Sequence, residues 1–248
     1  MPLDYERLIA STYDAQYADI RDDSGDREFY AALAAERGGP VLELGCGTGR
    51  VLLPIARTGL PCVGVDPSPA MLEVLRAKDP PANLTLVQGY MEALDLDRRD
   101  FALATAPFRA FMHLLTVDAQ LAALTRIRDH LRGDGWLALD VFDPDLARMA
   151  VDDAETPQPP FELDGQTITR TYAVRRDRVT QTMDVRFRFI TAAGDELGVE
   201  AVQMRWIYRY ELEHLLWRAG FEPLRWLADY RGRAYDGSGD IIVVARRR

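Results

Sequence analysis

Three glycines at alternate positions, Gly45, Gly47 and Gly49, close the apolar run Val41-Leu42-Glu43-Leu44. A second carboxylate, Asp66, follows 17 residues after the last of them. Glycine has no Cβ and takes φ > 0, so a ligand can approach the backbone of such a loop closely. Behind the loop, Val51, Leu52, Leu53, Ile55 and Ala56 have helical character. That places a helix N-terminus there, with free N–H groups and the positive end of a dipole. Asp66 ends the next apolar run, Cys62-Val63-Gly64-Val65, where a carboxylate can accept hydrogen bonds from ribose hydroxyls. This chemistry suits an adenosine-bearing ligand. A dinucleotide fingerprint, G-x-G-x-x-G, would need a glycine where Arg50 stands; the pattern here is G-x-G-x-G.

The rest of the chain must position these groups. Leu8, Ile9, Tyr13 and Tyr17 predict a helix over 3–19, and a second helix covers 26–37 before the breaker Gly38-Gly39-Pro40. Strands follow at 41–44, 62–65, 84–87, 101–104 and 136–141, with helices between them, the last over 118–132. Such alternation predicts an α/β fold, a seven-stranded and mostly parallel sheet with helices on both faces. From 161 to 207 the period changes to two. Val179, Gln181, Met183, Val185, Phe187 and Phe189 share one face of a strand whose partners are Thr167 to Arg175 and Val199 to Tyr208. Its turns are expected at Arg176-Asp177-Arg178 and Ala193-Gly194-Asp195. This reads as a small antiparallel sheet inserted after the fifth strand, with Thr156 to Pro160 as linker. A helix at 209–219 and strands at 222–229 and 240–246 complete the parent sheet. The expected division is 1–155 with 209–248 as the ligand-binding domain, its helices of 1–38 acting as a lid, and 156–208 as the insertion.

The 248 residues suffice for one large α/β domain with an insertion. The net charge of −9 argues against nucleic acid as a partner, since phosphate binding rests on clustered cations. Arg170, Arg175, Arg176, Arg178, Arg186 and Arg188 face only Asp177 and Asp184 in their stretch, and are expected to form a solvated strand face. No apolar run is long enough to span a bilayer, and Met1 to Glu6 lack a signal-peptide pattern. Cys46 and Cys62 give neither a disulfide framework nor zinc spacing. A cytoplasmic protein without membrane contact is expected.

The run Glu43 to Gly49, with Asp66 at the end of the following strand, resembles the class I (Rossmann-like) S-adenosylmethionine-dependent methyltransferases. The likeness covers essentially the whole chain and includes His130 to Gly135 and Arg218 to Phe221. Phe108 to Leu114 and Arg205 to Tyr210 carry a closer likeness to small-molecule methyltransferases with a β insertion, such as amino-sugar N,N-dimethyltransferases and glycine N-methyltransferases. The resemblance implies S-adenosylmethionine as cofactor and S-adenosylhomocysteine as product. It implies that Gly45, Cys46, Gly47 and Gly49 wrap the cofactor and that Glu43 holds the methionyl ammonium through water or backbone groups. Asp66, with Pro67, takes the ribose; Met71 and Met91 flank adenine; Ala106 and Pro107 lie near the transferred methyl, with Tyr13 over the cofactor. One departure stands out. Many relatives carry an acid after the glycine that follows the third strand, to bind the adenine amino group; here Gly89 precedes Tyr90, so the backbone near Met91 or the Glu92 carboxylate takes that role.

Methyl transfer from a sulfonium is an in-line displacement, accelerated by alignment and exclusion of water, and it needs no metal. For an amine acceptor a base only keeps nitrogen neutral. His113 is the candidate, with Tyr13 or Tyr17 as alternatives; His130 and His214 are expected on helix surfaces. The aromatic faces of Tyr13, Tyr17, Phe108, Trp206 and Tyr230 can steady a cationic methyl or product amine, and Arg109 can bind an acidic group on the substrate. The expectation is a methyltransferase for a small molecule, at nitrogen in preference to oxygen. Modification of tRNA or protein, and a non-catalytic cofactor-binding role, are the alternatives. The insertion could also pair two subunits into a homodimer.

Overall fold

A computed structural model describes residues 10, 13, 14, 24–163 and 165–248. The first described helix is α1 (Asp26–Arg37), followed by β1 (Val41–Leu44), α2 (Leu52–Arg57), β2 (Cys62–Asp66), α3 (Pro69–Ala77) and β3 (Leu84–Gln88). Then come β4 (Phe101–Ala106), α4 (Val117–His130) and β5 (Leu131–Phe142). Local sequence fixes several of these boundaries. Ser68 caps α3 by accepting the Met71 N–H, with Pro69 at the first helical position, and Thr116 caps α4 by accepting the Ala119 N–H.

The main sheet has the order β3-β2-β1-β4-β5-β12-β11. Strands β1 to β5 are parallel; β12 (Asp240–Arg247) runs antiparallel to both β5 and β11 (Phe221–Leu227). The central strands β1 and β4 are buried along their whole length, as a sheet covered on both faces requires. On one face Tyr30, Leu33, Leu52, Ile55, Leu72 and Leu75 pack from α1, α2 and α3. On the other, Leu124 and Ile127 of α4 meet Leu212 and Leu216 of α6 (Arg209–Arg218). Chain order reverses between β1 and β4, the place in an open α/β sheet where loops at the strand ends diverge and leave a crevice. The Gly45–Gly49 loop stands at that place.

After β5 come a short helix, α5 (Leu146–Met149), and a five-stranded sheet of β6 (Asp153–Pro157), β7 (Phe161–Leu163), β8 (Gln166–Asp177), β9 (Thr182–Thr191) and β10 (Glu196–Arg205). The pairing is antiparallel throughout. The expected architecture is therefore the one found, and several details differ. The β8–β9 turn spans 178–181, not 176–178, so Val179 is 93% exposed at its tip instead of lying on the apolar face with Met183 and Phe189. Thr156 and Pro157 pair with Tyr172 and Thr171, so the expected linker is half strand. Arg170 and Arg176 are not on a solvated face. Arg170 is buried against Gln158 (2.6 Å) and the Phe187 ring, and Arg176 reaches Asp153 at 2.8 Å. The alternation of β8 puts them opposite Arg175.

His130 is likewise buried, not on a helix surface. Its Nε2 accepts the Leu96 N–H at 2.9 Å, and its Nδ1 faces the Arg126 carbonyl at 2.7 Å. His214 is exposed. The expected helix over 3–19 falls mostly outside the described residues, as does Tyr17.

Candidate active site

The glycine loop is held from below and from both sides. Gly45 and Cys46 donate their N–H groups to the Val65 carbonyl, tying the loop to the end of β2. A Cβ on Gly45 would stand 2.8 Å from the Ala110 Cβ, and one on Gly49 would stand 2.3 Å from Leu75 Cδ1, so both glycines permit close packing. Gly47 differs. Its φ is +50°, and among the described residues nothing lies within 4 Å of where a Cβ would be. The middle of the loop therefore opens onto space that a ligand can enter against bare backbone. Cys46 points inward, its Sγ packed where Gly64 leaves room.

Asp66 accepts the Gly47 N–H at 2.7 Å and the Ser68 N–H at 2.9 Å. These two bonds fix the carboxylate at the mouth of β2, beside the open face of Gly47 and next to Pro67. Met71 and Met91 are each half-buried, Met71 in the first turn of α3 and Met91 in a 3₁₀ turn (Met91–Ala93) after β3. Tyr90 is exposed. This set fits an S-adenosyl ligand: bare backbone, a fixed carboxylate beside it, and thioether side chains near the strand ends.

Glu43 lies under the loop and is 1% exposed. Burial pushes its pKa up to about 8; the Arg50 charge, the Thr105 hydroxyl and the Leu52 N–H pull the other way. Thr105 Oγ1 is 3.4 Å from Glu43 Oε2. The carboxyl thus sits at the start of α2, beneath the site, where it can act on a ligand cation through the backbone above it.

The segment after β4 forms the opposite wall. Ala106 and Pro107 are buried. Phe108 and Arg109 are both left-handed, with φ of +56° and +65°, a conformation that costs a side-chain-bearing residue about 1–2 kcal/mol. Asp140 of β5 holds them there, accepting the Phe108 N–H at 2.8 Å and the Arg109 N–H at 3.0 Å. The Phe108 ring meets Tyr13 edge-on at 6.3 Å, and the Arg50 guanidinium lies 5.4 Å from its centroid. Tyr13, Phe108 and the glycine loop are thus gathered at one place. His113 ends a 3₁₀ turn (Ala110–His113) that packs against β10. Solvent reaches the imidazole, yet protein surrounds it on most sides; this desolvation lowers its pKa from the ordinary 6.5, opposed by a hydrogen bond to the Gln203 backbone.

The side chains of three other residues singled out for substrate contact pack against protein groups. The Arg109 guanidinium turns to Asp240 (3.5 Å) and the Phe142 ring (5.4 Å). Trp206 is buried beside a recess of about 370 Å³ shared with Leu146, Met149 and Tyr208; no glycine-loop residue lines it. Tyr230 is 7% exposed and packs on Phe29 and Tyr30.

Sequence reasoning missed several supports. Arg50 forms a two-pronged pair with buried Asp26, at 2.9 and 2.5 Å. Asp14 takes the Thr48 hydroxyl at 2.6 Å and Lys78 Nζ at 2.5 Å, which fastens Asp14 to the loop. Tyr30 donates to Asp140 at 2.7 Å. Asp140 carried a readable signal: it is a single charge inside the apolar run of β5, and a buried charge must be paired.

Residues 41–135 match the family model described as a methyltransferase domain. The chain is 27% identical over 256 residues to the cypemycin N-terminal methyltransferase of a Streptomyces species, covering all of this chain and 99% of that protein. Among solved structures, the CcbJ methyltransferase of Streptomyces caelestis superposes with a TM-score of 0.83 at 28% identity, covering 98% of this chain and 97% of that one. An amino pentose methyltransferase of Micromonospora echinaspora, solved with S-adenosylmethionine bound, gives a TM-score of 0.71 at 25% identity and covers 95% and 96%.

Proposed function

We propose that the chain, an S-adenosylmethionine-dependent methyltransferase, methylates a small molecule at an amine nitrogen. One observation carries this reading. The similarity to relatives named as an N-terminal methyltransferase and an amino pentose methyltransferase runs through the inserted sheet and the segment after β4 as well as the cofactor half. Those parts are available to build an acceptor pocket, and they are the parts most free to vary with substrate.

In this reading Gly47 lets the cofactor lie against the loop, Asp66 takes the ribose hydroxyls, and Met71 and Met91 flank adenine. Glu43 meets the methionyl ammonium through the start of α2, giving up its proton as the cation binds. Ala106 and Pro107 line the space around the methyl group, and the rings of Tyr13 and Phe108 face its positive charge. S-adenosylmethionine supplies an electrophilic methyl carbon on a positively charged sulfur. These residues would hold that methyl in line with the amine lone pair and away from water; S-adenosylhomocysteine would be the leaving group, and the positive charge would pass to nitrogen. That nitrogen would then lose a proton, and His113, held neutral at pH 7 by desolvation, would take it. The residues of 156–208 form the acceptor side of the pocket, and the rest of the chain holds the cofactor. The free thiols Cys46 and Cys62 support a reducing, cytoplasmic setting.

The test is a screen of purified protein with S-adenosylmethionine against amines, amino acids, amino sugars and phenols, reading S-adenosylhomocysteine released. Turnover with amines alone supports the reading. Turnover confined to phenols would move the acceptor atom to oxygen. Calorimetry that detects no binding of S-adenosylmethionine or S-adenosylhomocysteine to cofactor-free protein would overturn it altogether.

A further inference from the structure

The geometry points to Asp140 as a positioning residue, the centre of a closed ring of contacts that couples the cofactor loop to the Phe108 wall of the site. The inference rests on the methyltransferase reading. Asp140 is 1% exposed, and among the described residues its two oxygens accept hydrogen bonds from Tyr30 Oη and the Phe108 N–H on Oδ1 and from the Arg109 N–H on Oδ2. An ionised carboxylate can accept all of these; an amide of the same shape would turn a donor toward one of them. The two backbone donors are adjacent and belong to the two consecutive left-handed residues of the segment.

From Asp140 the ring continues through α1. Tyr30 stands four residues after Asp26, so the two side chains share a helix face. Asp26 holds the Arg50 guanidinium by both oxygens, and that guanidinium lies over the Phe108 ring, whose own N–H returns to Asp140. Four elements are therefore linked in one circuit: the residue after the glycine loop, α1, β5 and the segment after β4. Asp26, Asp140 and Tyr30 are all nearly excluded from solvent, so these polar contacts have no water to replace them if broken. Loosening the circuit at Arg50 should be felt at the Phe108 and Arg109 amides, which Arg50 does not bond.

The experiment compares full-length wild type with Asp140→Asn, Tyr30→Phe and Arg50→Lys. Hydrogen exchange is followed peptide by peptide, and S-adenosylhomocysteine binding is measured by calorimetry well below each variant's unfolding temperature. The expected result for Asp140→Asn is at least tenfold faster exchange over 107–112, with β1 and β4 unchanged, and about tenfold weaker binding. Tyr30→Phe and Arg50→Lys shift exchange over 107–112 in the same direction by smaller factors. Should Asp140→Asn not fold, Tyr30→Phe, which removes one oxygen only, decides the matter. Wild-type exchange over 107–112 in the folded variants would overturn the coupling. Failure of the wild type to bind S-adenosylhomocysteine would overturn the methyltransferase reading and leave the exchange result to judge the ring.

Discussion

Gly49 stands so close to Leu75 that a Cβ on the glycine would lie 2.3 Å from Leu75 Cδ1. Leu75 is itself fully buried between α3 and the sheet, so it has no room to yield. Gly49 also has φ of +81°. Gly49→Ala should therefore lose about 2–5 kcal/mol, combining left-handed strain with overpacking. Gly47→Ala meets no clash among the described residues and should lose only about 1–2 kcal/mol from its φ. Its methyl group would enter the space assigned to the cofactor, so it should weaken S-adenosylhomocysteine binding at least tenfold while the protein stays folded. Urea unfolding and calorimetry on both variants separate the two roles; equal binding loss per unit of stability lost would erase the distinction.

A second expectation concerns the N-terminal segment. Asp14 meets Thr48 and Lys78, and Lys78 Nζ also donates to the Thr48 carbonyl at 2.8 Å. The Asp14 side chain is partly exposed, so Asp14→Ala should change global stability by no more than about 1 kcal/mol. It removes the tie beside Tyr13, and bound S-adenosylhomocysteine should dissociate severalfold faster in stopped-flow measurements. An unchanged dissociation rate would show that the contact does not retain the ligand.

What the sequence made legible was local. The glycine spacing, the carboxylate ending the next apolar run and the change of period after residue 161 each lie within a short window, and each maps onto the element expected of it. The partners that hold the site lie far apart in the chain. Asp140 bonds Tyr30 across 110 residues and Phe108 across 32, and no local periodicity reports such pairs. His130 shows the same limit. Its helix position could face solvent, and it is buried because the Leu96 segment folds over it. Val179 continues the alternation of β9 on paper, yet Gln181 has φ of +56° and the chain turns there, which ends the strand before Val179.

Glu43 should make stability depend on pH. Its folded pKa, about 8, lies above the ordinary value of 4.5. Between those values the folded chain keeps a proton that the unfolded chain releases. The contribution is therefore complete below about pH 4.5 and is lost as pH rises through about 8, with a slope of up to about 1.4 kcal/mol per pH unit. Glu43→Gln has no proton to lose. Urea midpoints of wild type and variant should run close together near pH 5, and the wild type should fall below the variant by pH 9. Parallel curves across that range would mean that the buried carboxyl is already ionised at pH 5.

His113 gives the last expectation, on rate. Desolvation holds its pKa below the ordinary 6.5, so the imidazole is neutral at pH 7 and can receive a proton. If it takes the acceptor proton, kcat/KM with an amine found by the screen should fall on the acid side along a limb set below pH 6.5. His113→Gln should remove that limb and lower the plateau by about a hundredfold, the lower end of general-base contributions. The glutamine amide can still donate toward the Gln203 backbone, so the 3₁₀ turn and β10 should stay in place. A pH–rate profile identical in wild type and variant would assign the proton to water and leave His113 as a wall of the pocket.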